Sequence, residues 1–156
     1  MMMRLALAIA TALGTGYSPV APGTVGSAVG LLLWWLLPQG TVVTPVLLVL
    51  LFVVGSWSGT LVERHVRGTD PGIVVIDEVL GMLMTLAFVP VHWPGAVLGF
   101  LLFRVADIVK PYPANRCEAL HGGVGIMADD AMAAVYAQLA LRACVWGASA
   151  WAGVAL

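Results

Sequence analysis

The segment VVTPVLLVLLFVVGSW, from Val42 to Trp57, is the clearest structural signal in this chain. It carries no charged residue, and its length approaches the roughly 20 apolar residues that a helix needs to cross a bilayer. Pro45 lies near its start, where a helix tolerates proline. We therefore predict that this segment is a membrane-spanning helix.

The composition extends this prediction to the whole chain. Of the 156 residues, 61% are hydrophobic and only 10% are charged, and the mean hydropathy is +1.00. Soluble domains carry about 25% charged residues, so this chain has too few charges to cover the surface of a soluble fold. The composition excludes a disordered chain, a basic nucleic-acid-binding protein and most soluble enzymes. The net charge of −1 provides no field that would attract an anionic polymer.

Further apolar stretches predict the rest of the architecture. There are four of them: Val25–Leu37, Ile73–Val89, Gly95–Val109 and Ala131–Ala155. The first is short for a full crossing, so a re-entrant helix remains open there. Residues 1–13 predict a short interfacial helix, and a signal peptide is the weaker alternative. We predict one all-α domain over residues 1–156, an integral membrane bundle of about four to five transmembrane or re-entrant helices plus this N-terminal interfacial helix.

Two pairs of glycines predict close packing between these helices. Gly26 and Gly30, and likewise Gly55 and Gly59, are four residues apart, so each pair lies on one helical face. Small residues at this spacing let a neighbouring helix approach closely. Packing explains these glycines more simply than chemistry does.

The basic residues predict the orientation of the bundle. With the N-terminus inside, every break between spans that contains a basic residue falls on one side of the membrane; these residues are Arg4, Arg64, Arg67, Arg104, Lys110 and Arg116. The positive-inside bias makes that side cytoplasmic. The breaks on the opposite side contain no Lys or Arg.

The same topology brings the dispersed acids to one membrane surface. Six of them stand out: Asp70, Asp77, Glu78, Asp107, Asp129 and Asp130. Acids within apolar spans are costly, at about 2.5–3.5 kcal/mol each, and are usually functional. Favourable interaction with a helix N-terminus is the plain alternative for the pairs 77–78 and 129–130. Ligation of Mg²⁺ by carboxylate oxygens accounts for more of the sequence, because so many carboxylates do not easily stay ionised together without a cation.

Basic and hydroxyl side chains at the same surface favour a phosphate group. Arg104, Asp107 and Lys110 recur every three residues and so line one helical stripe, which is either an interfacial ion-pair ladder or a mixed cation and anion site. The loop from Gly14 to Ser27 lacks the lysine of a nucleotide P-loop. Its glycines and hydroxyls still suit an anion ahead of a helix, although a plain turn with Thr24 as helix cap is the alternative.

Four blocks of sequence resemble the phosphatidylglycerophosphatase A family. They are Gly14–Ser27, with Ser-Pro and Pro-Gly-Thr; Asp70–Gly81, with Ile-Asp-Glu; Phe103–Pro113, with Phe-Arg, Asp-Ile and Lys-Pro; and Gly122–Asp130, with Gly-Gly, Gly-Ile-Met and Asp-Asp. The resemblance implies Mg²⁺-dependent hydrolysis of the terminal phosphate of phosphatidylglycerophosphate, giving phosphatidylglycerol. It also implies a multi-pass protein of the bacterial inner membrane with its active site on the cytoplasmic face. A cleavage after Leu13 would fall directly before the first block, which argues against a signal peptide.

These observations lead to a hypothesis for each site residue. We expect the Mg²⁺ ligands to come from Asp77, Asp129, Asp130, Glu78 and Asp70. We expect the catalytic groups to be Asp77, Glu78, Asp107 and Asp130. Arg104 and Lys110 would bind the phosphate, with Thr15, Ser18 and Thr24 as further donors. Water and a carboxylate both remain open as the attacking group, with water favoured.

Other functions fit the sequence less well. An ion or proton transporter subunit would spread its acids across the membrane depth, whereas here they gather at one face. An alcohol phosphotransferase would need an Asp-Gly followed by Ala-Arg and further spaced aspartates, which this chain lacks. A structural membrane partner would not need so many acids. The expected partners are the phospholipid substrate and the bilayer, with no nucleic acid, and a homo-oligomer remains open.

Overall fold

The computed structural model describes residues 1–38, 40–112, 120 and 122–152, with the side chains up to residue 150. Its described part is all helical and contains no strand, which confirms the predicted all-α class. A short 3₁₀-helix covers Thr15–Tyr17, and the α-helices are α1 (Met2–Ala10), α2 (Pro22–Leu36), α3 (Val43–Val66), α4 (Ile76–Leu86), α5 (Trp93–Val109) and α6 (Gly123–Ala152). Arg116 and the last residues of the predicted fifth span lie outside the described residues.

Two helices are long and apolar enough to cross a membrane. One is α3, and the other is the Gly123–Ala150 part of α6. The outer face of α3 exposes apolar side chains in a row, including Val46, Val49 and Val53, which are 62%, 64% and 59% exposed. An apolar surface of this kind suits contact with lipid rather than with water.

Helix α4 lies at the centre of the bundle, packed between α2, α3, α5 and α6. Nearly all of its residues are buried, from Ile76 to Leu86. Its 11 residues span only about 16 Å, roughly half the thickness of the hydrocarbon core. The stretch predicted as a third span, Ile73–Val89, is therefore a short helix enclosed by protein.

Polar side chains of α6 donate hydrogen bonds to backbone carbonyl groups at the C-terminal end of α4. Gln138 Nε2 donates to the carbonyl oxygens of Met84 at 2.6 Å and Ala87 at 2.9 Å, and Arg142 Nη2 donates to the carbonyl of Phe88 at 3.2 Å. A helix leaves its last carbonyls without intrahelical partners, and they need donors when they are buried. Gln138 and Arg142 of α6 therefore serve the end of a neighbouring helix.

Glycine contacts set the distances between helices, as their spacing predicts. Gly26 of α2 packs on Val75, and Gly30 packs on Val79 and Met82 of α4. At each glycine a Cβ would lie within 3.0 Å of its neighbour, so no larger residue fits without movement.

The contact between α3 and α6 is closer still, because it joins backbone to backbone. Gly123 lies against the carbonyl group of Ser56, and Gly59 lies against Gly123. Thr60 Oγ1 accepts a hydrogen bond from the Gly123 N–H at 2.8 Å and donates one to the Ser56 carbonyl at 2.7 Å. Helix α6 therefore begins at a position fixed by α3.

Candidate active site

One end of the bundle gathers the starts of α2, α4 and α6 and the ends of α3 and α5. Asp77 and Glu78 lie in the first turn of α4, where the helix dipole favours anions. The residue before this helix is held by α1, because the Val75 N–H donates to the Ala10 carbonyl at 2.8 Å. The two acids are thus anchored through the backbone contact between Val75 and α1.

Asp130 reaches the same point from α6. Carboxylate oxygens of Asp77, Glu78 and Asp130 all lie within 4.8 Å of one another. Asp77 is 7% exposed and Asp130 is 3% exposed. Each of the three residues has one buried carboxylate oxygen with no hydrogen-bond partner among the described residues: Asp77 Oδ1, Glu78 Oε2 and Asp130 Oδ2.

This donor set fits a hard divalent cation. Burial and mutual repulsion disfavour the charged forms of three neighbouring carboxyl groups, and a cation between them removes both penalties. Mg²⁺ prefers oxygen ligands and is typically held by one or two carboxylates together with waters and substrate phosphate oxygens. The unpartnered oxygens are therefore the available ligands.

The other two expected metal ligands are placed differently. Asp129 is buried, but its Oδ2 is 2.7 Å from Lys110 Nζ, in an ion pair between α6 and the end of α5. Asp70 is exposed and has a left-handed backbone with φ of 47°. Its charge acts on both Asp77 and Asp129, so it lies at the rim of the cluster.

Arg104 supplies the positive charge beside the three carboxylates. Its Nη1 is 2.8 Å from Asp107 Oδ2 and 4.0 Å from Glu78 Oε1, and it donates to Ser27 Oγ at 3.3 Å. Its Nε is buried and has no hydrogen-bond partner among the described residues. Asp107 also faces Asp130, so it links the arginine to the carboxylate cluster.

The predicted stripe of Arg104, Asp107 and Lys110 is present only in part. Arg104 and Asp107 form the ion pair expected at three-residue spacing. Lys110 instead ends α5 in a left-handed conformation with φ of 46° and turns its ammonium group to Asp129. The two bases therefore approach the site from different directions.

The first loop contacts the site through the backbone of Gly23 more than through its hydroxyl groups. Gly23, in the first turn of α2, lies directly against Glu78 Oε1, and a Cβ there would be 3.1 Å from Arg104 Nη2. Helix α2 begins at Pro22 with Ala21 as its N-cap. Thr24 is therefore inside the helix, and the alternative that made it the cap is wrong.

The two remaining hydroxyl groups are bonded within their own loop. Thr15 donates to the carbonyls of Thr11 and Ala12, both at 3.1 Å, and Ser18 donates to the carbonyl of Val20 at 2.9 Å. Both side chains are half-buried. Their role as phosphate donors stays a prediction.

Comparisons with known proteins identify the family of this chain. The sequence profile of the phosphatidylglycerophosphatase A family matches residues 8–145. The chain belongs to this family. It is 35% identical to phosphatidylglycerophosphatase A of Escherichia coli over 130 residues, which cover 81% of this chain and 76% of that protein. The corresponding enzyme of Haemophilus influenzae is 34% identical over 139 residues, covering 86% and 85%.

A further relative has a different substrate in its name. A putative phosphatidylinositol-3-phosphatase of Bacteroides thetaiotaomicron is 38% identical over 151 residues, covering 91% of this chain and 94% of that protein. No solved structure gave a significant match. The family resemblance seen in the sequence is confirmed, and the relatives share the name of a phosphatase.

Two residues that face the cluster were missed by sequence reasoning. Gly23 is buried against the Glu78 and Arg104 side chains, and the buried Ser27 contacts Arg104. Each is a small residue in an apolar helix, where packing is the usual explanation. The only available signal was their position in the Gly14–Ser27 block of this family.

Proposed function

We propose that this protein hydrolyses the terminal phosphomonoester of phosphatidylglycerophosphate, giving phosphatidylglycerol and inorganic phosphate, with Mg²⁺ as its metal. Membership of the phosphatidylglycerophosphatase A family supports the reaction class. One structural observation carries the proposal. Three carboxylates with unpartnered oxygens lie beside an arginine with an unpartnered Nε, at the end of an apolar helical bundle.

In this proposal Asp77, Glu78 and Asp130 hold the metal. Bound Mg²⁺ would neutralise charge on the phosphoryl oxygens. Asp70 stands at the rim, where it adds negative charge that attracts a divalent cation. Uncatalysed hydrolysis of phosphate monoesters is among the slowest reactions known, so electrostatic help of this kind is needed.

The protein's own cations bind the phosphate. Arg104 suits contact with two phosphate oxygens, since its guanidinium group presents fixed parallel donors. Lys110 acts as a point charge that the phosphate shares with Asp129. The Gly23 N–H in the first turn of α2 adds a donor, because a helix N-terminus favours anions. Asp107 holds Arg104 from the side facing Asp130.

Water is the proposed attacking group. It attacks phosphorus and gives up one proton, the bond from phosphorus to the glycerol oxygen breaks, and that oxygen leaves as an alcohol after taking up the proton that the water lost. The buried carboxylates serve as ligands rather than as nucleophiles in this proposal, since Mg²⁺ prefers carboxylate oxygens. An aspartyl-phosphate remains the alternative intermediate.

The surroundings suit a lipid substrate in a bacterial cytoplasmic membrane. The apolar outer faces of the helices would contact acyl chains, and the headgroup would reach the polar end of the bundle. Arg64 and Arg67 lie at that same end, where α3 terminates. The positive-inside bias therefore favours an active site facing the cytoplasm in a multi-pass protein. The ion-transporter alternative lacks support, because the buried acids of the described residues gather at one end.

Phosphate release from purified protein tests the proposal. The protein in detergent micelles is given phosphatidylglycerophosphate, or phosphatidylinositol 3-phosphate in a second arm, with Mg²⁺ or with a chelator. We expect inorganic phosphate from phosphatidylglycerophosphate only when Mg²⁺ is present. Equal release with the chelator would refute the metal site. Release only from the inositol lipid would refute the proposed substrate.

A further inference from the structure

Ser27 has a buried contact with the phosphate-binding arginine that the proposed function does not use. It lies on α2 one turn after Gly23 and is completely buried. Its Oγ donates to the Gly23 carbonyl at 2.9 Å and accepts a hydrogen bond from Arg104 Nη1 at 3.3 Å. Because the hydroxyl proton is engaged by the helix backbone, the oxygen lone pairs are left to face the guanidinium group.

This contact fixes the orientation of Arg104 from a second helix. Asp107 binds the same nitrogen but belongs to the same helix as Arg104, three residues away. One ion pair leaves the guanidinium plane free to turn about the bond to its partner. A second contact from α2 restricts that rotation. Nη1 is occupied from both sides, and the buried Nε has no hydrogen-bond partner among the described residues.

We propose that Ser27 is a positioning residue that orients Arg104 so that the edge of its guanidinium group containing Nε faces the phosphate of the substrate. The inference rests on the proposed function of Arg104. A neutral acceptor suits this task, because it holds the arginine without adding a negative charge that would compete with the phosphate. A second carboxylate on Nη1, in addition to Asp107, would further offset the charge that the phosphate needs.

Ser27→Ala tests the inference, with Ser58→Ala as its matched control. Ser58 is also completely buried on a helix, and its Oγ donates to the Gly55 carbonyl at 3.1 Å. Loss of a hydrogen bond to a charged group predicts that Ser27→Ala lowers kcat/KM for lipid phosphate release about tenfold. Ser58→Ala should stay within about twofold of wild type. Ser27→Thr, which keeps the hydroxyl group, should recover most of the activity.

A double-mutant comparison separates positioning from a general packing effect. In an Arg104→Lys background, Ser27→Ala should change kcat/KM by less than about twofold, because its target is gone. An undiminished loss in that background would overturn the proposal, as would equal losses in the two serine variants. If Ser27→Ala does not fold, Ser27→Cys replaces it, since a thiol fills the space but accepts weakly.

Direct binding of inorganic phosphate gives a readout that is independent of turnover. Titration calorimetry with Mg²⁺ present should show phosphate binding about tenfold weaker in Ser27→Ala than in wild type, and unchanged in Ser58→Ala. If the wild type binds phosphate in this way but releases none from any lipid, the proposed function fails while the role of Ser27 stands. Equal phosphate affinity in Ser27→Ala and wild type overturns the role of Ser27.

Discussion

Replacing Gly23 with alanine adds one methyl group at the point where α2 meets the site. The new Cβ would overlap Glu78 Oε1 and would lie 3.1 Å from both Glu78 Cδ and Arg104 Nη2. All of these atoms are the ends of flexible side chains rather than backbone, so they can move. We therefore expect the variant to fold normally and to lose function.

The size of the effect follows from the required displacement. Ordinary van der Waals contact begins near 3.4 Å, so the Glu78 carboxylate has to retreat by about 1 Å, and a misplacement of that size can cost about 100-fold in rate. We expect kcat to fall by about that factor. We also expect the variant to bind Mg²⁺ more weakly. Stability should be equal or slightly higher, since alanine is favoured over glycine inside a helix by up to about 1 kcal/mol.

Phosphate release at saturating Mg²⁺ and thermal unfolding in the same detergent provide the two measurements. Gly147→Ala is the control, because a Cβ at that position of α6 meets no atom within 4 Å. The control should keep wild-type activity. Wild-type kcat in Gly23→Ala would show that Glu78 is not held where the chemistry needs it, and a loss of folding would show that the contact is structural.

Three other substitutions test separate parts of the molecule. Asp77→Asn should abolish phosphate release while leaving circular dichroism and elution volume unchanged; full activity would contradict the metal assignment. Gln138→Met removes the side-chain donor to the Met84 and Ala87 carbonyls and should lower the unfolding free energy by about 1–3 kcal/mol, whereas Leu139→Met, on an exposed face, should change it by less than about 0.5 kcal/mol; equal values would rule out the capping role. Gly123→Ala forces a Cβ against the Ser56 backbone and should lower the melting temperature clearly; an unchanged temperature would show that α3 and α6 separate easily.

The sequence predicts the helical class and the family but not which apolar helix faces lipid. The segment from Val42 to Trp57 is a helix, as predicted, and it continues to Val66. The stretch from Ile73 to Val89 has similar hydropathy, yet its helix ends at Leu86 and is enclosed by protein. Hydropathy measures preference for an apolar environment and does not distinguish lipid tails from neighbouring side chains.

The candidate site, like the fold, was predictable from the sequence only in part. Topology alone places the acids at one end of the bundle, because helix starts and ends alternate along the chain. Asp129 and Asp130 point about 100° apart on α6; Asp130 faces Asp77, whereas Asp129 pairs with Lys110. The rotation of α6 settles this, and that rotation depends on the close contact of Gly123 with α3. The spacing of Gly55 and Gly59 predicts a close contact on α3, but it does not identify Gly123 as the partner.

The capped end of α4 has a consequence for how the protein responds to its bilayer. Helices α4 and α6 meet twice, at the Asp77–Asp130 approach and again where Gln138 binds the carbonyls of Met84 and Ala87. These two contacts are roughly 10–15 Å apart along α4, and together they oppose sliding of one helix past the other once the proposed cation joins the carboxylates. Thinner or thicker membranes tilt spanning helices at modest cost, but such tilting would carry this pair as a single unit. The distances between the carboxyl groups should therefore not change with the lipid composition of the membrane.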